Sequence, residues 1–161
     1  MNETTSFDSL ISELLCKQRI ASLATIDEGG IPHASMVPFA LMHGEGVLLI
    51  HVSALSPHFK YLKNKLQAAL LIAKPEVAGE EVHALSRVSI QADIEFVGAS
   101  DAAYHPTREA YVQRFPEAAF ITELGDFAFV KVKPLGGRVI AGFGAARKVD
   151  QATLQTIIQN S

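Results

Sequence analysis

Residues 51–64 read HVSALSPHFKYLKN and bring two histidines, two serines and two lysines together around one proline. They follow directly on the aliphatic run Val47, Leu48, Leu49, Ile50, which has the character of a buried strand. Pro57 suits the first turn of a helix, because it lacks only a donor that the first turn would leave unpaired. With Ser56 as the cap, the spacing predicts a short helix to about Lys65. Its free N–H groups and positive dipole end attract anions, and Ser53, Ser56, His58 and Lys60 surround that point. A phosphate pocket is one reading. The other is that Ser56 only caps, His58 lies on the surface and Lys60, Lys63 and Lys65 form a solvated face. Arg87 and Gln91 share one face of a later strand and leave the same two readings open. His33, His43, His83 and His105 lack the spacing of metal ligands. The chain has no Walker loop, no GxSxG, no HExxH and no GxGxxG opening a helix after a strand.

The elements that must position these groups follow from periodicity. Phe7, Leu10, Ile11, Leu14 and Leu15 recur at helical spacing and predict a helix over about 6–18, with Thr5 or Ser6 as cap. Cys16 lies on it as a packing residue. Ile20–Ile26, the turn DEGG, Ile31–Met42, the turn HGEG and Val47–Val52 read as an antiparallel meander. Ala68–Ala73 and Leu85–Val97 add two strands, the second with Val88, Ile90, Ala92, Ile94 and Phe96 on one face. A helix over 101–115, broken near Pro106, and a short one after Pro116 come next. Strands at 127–132 and 138–143 close the pattern, and Asp150 caps a last helix. Six or seven antiparallel strands with helical inserts predict a mostly β chain built as a small barrel. One domain is expected over residues 1–161: an N-terminal helix at about 6–18, a barrel at about 19–144 and a C-terminal helix at about 150–159.

Composition excludes several classes. The 161 residues carry a net charge of -3, against the many unopposed cations that non-specific nucleic-acid binding needs. A hydrophobic fraction of 48% with only 19% charged residues fits a chain that covers apolar surface with a partner subunit. One cysteine permits no intrachain disulfide and no cysteine-based metal site. The acidic, hydroxylated start MNETTSFDS is unlike a signal peptide, and no stretch matches a membrane span, so a cytoplasmic protein with no membrane partner is expected.

The order ASLATIDEGGIPHASMVPFAL, GVLLIHVSALSPHFKYLKNKLQAALLI, LSRVSIQADIEFV resembles the FMN-binding split barrel of the pyridoxamine 5'-phosphate oxidase superfamily. The later pieces RFPEAAF, ELGDFAFVKVKP and RVIAGFGAARKV resemble its haem iron utilisation branch. The similarity spans about residues 18–149. It implies a six- to seven-stranded antiparallel split barrel and a homodimer with two FMN sites between the subunits. Carried over by position, Ser35, Met36 and Val37 lie along the flavin, and His51, Val52 and Ser53 lie at the end of the third strand. Ser56, Pro57, His58 and Lys60 match the phosphate-binding turn and helix, and Arg87 matches a polar residue that reaches the cofactor. Ser35 and Pro57 stand where arginines of the oxidase's clamp would be expected, and the oxidase's C-terminal substrate-binding arginine motif has no counterpart.

The resemblance implies an FMN-dependent oxidoreductase acting on a small molecule, with the flavin performing the redox chemistry. The alternative is a haem-binding or haem-degrading iron utilisation protein that uses the same dimer cleft without flavin, and a third is a binding module that has lost the chemistry. Asp126 matches the DF pair of the haem branch, beside a reading as the turn residue that starts a strand. The segment after Val149, DQATLQTIIQNS, holds no His, Cys, Met or Tyr, whereas haem-degrading members carry the iron-ligating His in such a tail. The expectation from this is weak haem binding without efficient ring opening.

Overall fold

Alternation builds the first hairpin. In the computed structural model, which describes residues 3–161 with side chains from residue 7 onward, strand β1 (Ile20–Ile26) buries Ala21, Leu23 and Thr25 and exposes the residues between. Asp27 closes the turn by accepting the backbone N–H groups of Gly29 and Ile31, each at 2.8 Å, and Gly30 takes the left-handed φ of 83°. Strand β2 (Pro32–Pro38) then returns along β1 in register from Ile20↔Pro38 to Ile26↔Pro32. The expected strand over 31–42 is divided at Pro38 and Phe39, and its remainder is the short β3 (Ala40–Met42). Strand β4 (Val47–Ser53) pairs with β3, helix α2 (Pro57–Asn64) follows, and β5 (Gln67–Ala73) pairs with both β1 and β6 (Arg87–Val97). Helix α3 spans Tyr104–Arg114 without a break, because Pro106 falls in its first turn, where no intrahelical donor is needed.

The two closing strands are one. Strand β7 (Phe127–Gly142) runs unbroken through both expected segments and turns back at Gly142–Gly144 into β8 (Ala145–Asp150). It bends where Leu135 is squeezed out of the ladder: Gln91 pairs with Gly136 and Ala92 with Pro134. Gly137 is obligatory here, since a Cβ would lie 2.2 Å from the Ser89 carbonyl oxygen. Asp150 caps helix α4 (Gln151–Asn160) as expected, accepting Thr153 N–H at 2.8 Å. Helix α1 spans Glu3–Lys17, so Thr5 and Ser6 lie inside it, and their side chains are outside the described residues.

The antiparallel sheet runs β2-β1-β5-β6-β7-β4-β3 with β8 added on β7, and it curls into the split barrel. The inner face of the sheet, α1 and α4 share one core around Leu14, Leu23, Leu48, Ile50, Ile90 and Val132. A second core lies on the outer face, where Leu49, Val97 and Phe129 meet Tyr111 and Phe115 of the α3 region. Among the described residues no helix is long and apolar enough to cross a membrane.

Candidate functional site

Helix α2 starts where the sequence places it, and the hydroxyls at its start are engaged locally. Ser56 has cap-like backbone angles (φ -84°, ψ 143°), yet its hydroxyl donates to the Ser53 carbonyl at 2.6 Å and not to the helix. Ser53 Oγ accepts Leu55 N–H at 3.2 Å and donates to Asp126 Oδ2 at 3.4 Å, while Asp126 O accepts Ala54 N–H at 2.6 Å. Asp126 thereby ties the α2 turn to the start of β7. Lys60 reaches Glu28 at 3.0 Å across open solvent. Ser35 from β2 does meet α2, with its Oγ 3.1 Å from His58 Nδ1. Burial, and then nearby His33, holds the His58 imidazole below its ordinary range. The hydroxyls and the ammonium that could take a phosphate are thus engaged within the protomer.

His51 has different surroundings. On β4 it alternates to the outer face and stacks on Phe127 (ring centres 4.9 Å apart), with Phe129 at 4.4 Å and Tyr111 at 5.5 Å. Among the described residues neither ring nitrogen has a hydrogen-bond partner. Burial in this apolar wall pushes its pKa down to about 4, so the ring is neutral at neutral pH. Burial, and then Glu117, pushes the Tyr111 phenol up to about 12. His51 opens into a cleft of about 430 Å³ lined also by Ile20, Pro38, Phe115, Ala118 and Ile121. At the rim Arg19 pairs with Glu117 at 2.5 Å and lies over the Phe115 ring. An unprotonated imidazole in an aromatic cleft offers a nitrogen lone pair to an electron-poor centre.

The remaining expected positions are scattered. Met36 is exposed on β2, whereas Val37 and Val52 are in the inner core and present no side chain to a ligand. Arg87 is not near α2: it starts β6, pairs with Ala73 and Ile140, and donates to the Leu85 carbonyl at 2.7 Å. Its neighbours on the same outer face are Ser89, Arg138 and Lys148, since Ser89 pairs with Arg138 and Arg138 with Lys148.

Sequence reasoning missed the aromatic walls and these two cations. The Gly142–Gly144 turn could have found the cations, because counting back from it sets Arg138 opposite Lys148. Nothing in one sequence shows that Tyr111 and Phe127 meet over His51.

Comparison with known proteins agrees with the fold. "Non-canonical heme oxygenase HOZ, chloroplastic" of Arabidopsis thaliana is 32% identical over 117 residues, 73% of this chain and 34% of that protein. "Heme oxygenase HutZ" of Vibrio cholerae is 25% identical over 140 residues, 86% of this chain and 78% of that protein. The chain therefore spans about a third of the length of the first of these relatives. The solved heme binding protein from Mycobacterium smegmatis superposes with a TM-score of 0.80 at 21% identity, over 92% of this chain and 59% of that one. The family model described as "Pyridoxamine 5'-phosphate oxidase" matches residues 7–141, and the chain belongs to that family.

Proposed function

We propose that the chain binds haem as a substrate and opens its ring oxidatively, acting as a homodimer. The observation that carries this is His51, a neutral imidazole without a hydrogen-bond partner among the described residues, set in an aromatic cleft. A neutral ring nitrogen is a common axial ligand of haem iron. Phe115, Phe127, Ile20 and Pro38 supply apolar walls for a flat macrocycle, and the Tyr111 hydroxyl remains protonated beside it. The names of two relatives, each a heme oxygenase, support the same reading. Ring opening also consumes dioxygen and electrons, which an external reductant must supply.

The dimer is supported by large apolar side chains left in the open, among them Met36, Leu55, Leu135 and Phe143. Haem is preferred to FMN because the expected phosphate contacts at the α2 turn are engaged elsewhere, the Ser53 and Ser56 hydroxyls with Asp126 and the Ser53 carbonyl, and Lys60 with Glu28. The test is to add haem to the purified protein, then a reductant in air, and follow the absorption spectrum. A shifted Soret band that declines over repeated turnovers, with a red-absorbing open tetrapyrrole appearing, is expected. A spectrum identical to free haem in buffer would overturn the proposal.

A further inference from the structure

One ion pair holds the rim of the His51 cleft. Arg19 stands immediately before β1, and its carbonyl accepts the Phe39 N–H at 3.1 Å. Glu117 lies in the short turn Pro116–Ala118 that follows α3. Their contact, 2.5 Å from Nη2 to Oε1, joins the start of β1 to the turn after α3. Both side chains remain more than half exposed, at 56% and 63%. An ion pair in that setting is screened by water and contributes little to stability, so a competing anion displaces it at small cost.

The charge at this rim is unbalanced. Among the described residues lining the cleft, Arg19 is the one cation and Glu117 the one carboxylate. Arg114 is a second guanidinium nearby: burial, and in smaller part the Arg19 charge, works against its cation. It donates to the Leu15 and Gln18 carbonyls at 3.2 and 2.5 Å, and among the described residues no carboxylate lies within 4.0 Å of it. Two guanidinium groups thus share one carboxylate.

The wall between Arg19 and His51 is continuous and aromatic. The Arg19 guanidinium lies 4.9 Å over the Phe115 ring, Phe115 is 5.0 Å from Tyr111, and Tyr111 is 5.5 Å from His51. One cleft therefore presents, in order, a neutral ring nitrogen, a flat apolar wall and a planar cation. A ligand that matches this order has a metal centre, a flat aromatic body and a carboxylate on its edge. Guanidinium holds a carboxylate through two parallel hydrogen bonds and keeps its charge at any working pH.

Resting on the haem reading above, we propose that Arg19 selects ligands with a carboxylate edge, and that Glu117 occupies Arg19 until such a ligand arrives. On binding, a propionate carboxylate of haem replaces Glu117 on the Arg19 guanidinium and Glu117 turns to solvent. Arg19, Glu117 and His51 belong to the same protomer. Glu117 is then an internal competitor that a porphyrin without carboxylates does not displace.

The test compares haem with haem dimethyl ester, which lacks the carboxylates, by Soret titration of the purified protein. Arg19→Gln should bind haem roughly tenfold more weakly than wild type and the ester equally well. Glu117→Gln should bind haem about threefold more tightly, with no gain for the ester. Added salt should weaken haem binding more steeply in wild type than in Arg19→Gln. An unchanged haem affinity in Arg19→Gln, or equal losses for haem and ester, would overturn the inference while leaving haem binding by the wild type in place. A Glu117→Gln protein that binds haem no better than wild type would overturn the exchange. Absence of haem binding by the wild type would remove the reading beneath the inference and the inference with it. Should Arg19→Gln fail to fold, Arg19→Met, which keeps an apolar stem over Phe115, takes its place.

Discussion

Replacing His51 by Phe should remove a specific part of the protein's acid sensitivity. Its folded-state pKa of about 4 lies below the 6.5 of an unhindered imidazole because the aromatic wall desolvates the charged form. The unfolded chain therefore binds a proton in acid that the folded chain refuses. Stability from this group is fully present above about pH 6.5 and is lost as pH falls toward 4. At about 1.36 kcal/mol per unit, wild type should lose about 2.5 kcal/mol between about pH 7.5 and about pH 4.5 through His51 alone. Phe keeps the stacking on Phe127 and Phe129 but has nothing to protonate. The assay is urea unfolding of both proteins at the two pH values, with the pH-dependent losses compared. His58, also depressed by burial, is present in both chains and cancels. Equal losses in the two proteins would refute the argument that His51 is held neutral, and with it the ligand role built on that.

The ammonium of Lys131 is nearly fully buried and bonds both oxygens of Glu45, at 2.8 and 2.7 Å. Glu45→Gln should cost about 3 kcal/mol by leaving that charge without its partner, and adding Lys131→Met should recover much of the loss in chemical denaturation. Gly137→Ala should cost about 2–3 kcal/mol, since a new methyl group would press on the Ser89 carbonyl, whereas Gly44→Ala, where nothing lies within 4 Å, should stay within about 0.5 kcal/mol. Thermal melts of the two alanine variants separate these outcomes. Lys60→Ala should leave haem affinity unchanged in a Soret titration, because its ammonium is exposed and tied to Glu28.

The barrel was legible because its strands alternate cleanly. Val88 and Ile90 read as one face of their strand and are buried together, the DEGG turn falls where it reads, and Asp150 caps its helix through its own side chain. The join of 127–132 to 138–143 was not legible, since Pro134 and two glycines look like a turn, whereas here they accommodate a bulge within one long strand. The site was legible only in part. Ser35 and His58 meet, a contact that their separate matched positions, along the flavin and on the phosphate-binding helix, do not state. Ser56 looked like a cap, but its hydroxyl finds a nearer acceptor in the Ser53 carbonyl, a competition that spacing cannot reveal. Arg87 shares a strand face with Gln91 as read, but ladder register decides what else is beside it, and register is a tertiary property.

The most direct test of the haem assignment is an absorption and resonance Raman titration of haem into wild type and His51→Phe at neutral pH. Wild type should give a saturable Soret shift and, when reduced, an iron–imidazole stretch, and His51→Phe should lose that stretch. An unchanged iron–imidazole signal in His51→Phe would contradict the account.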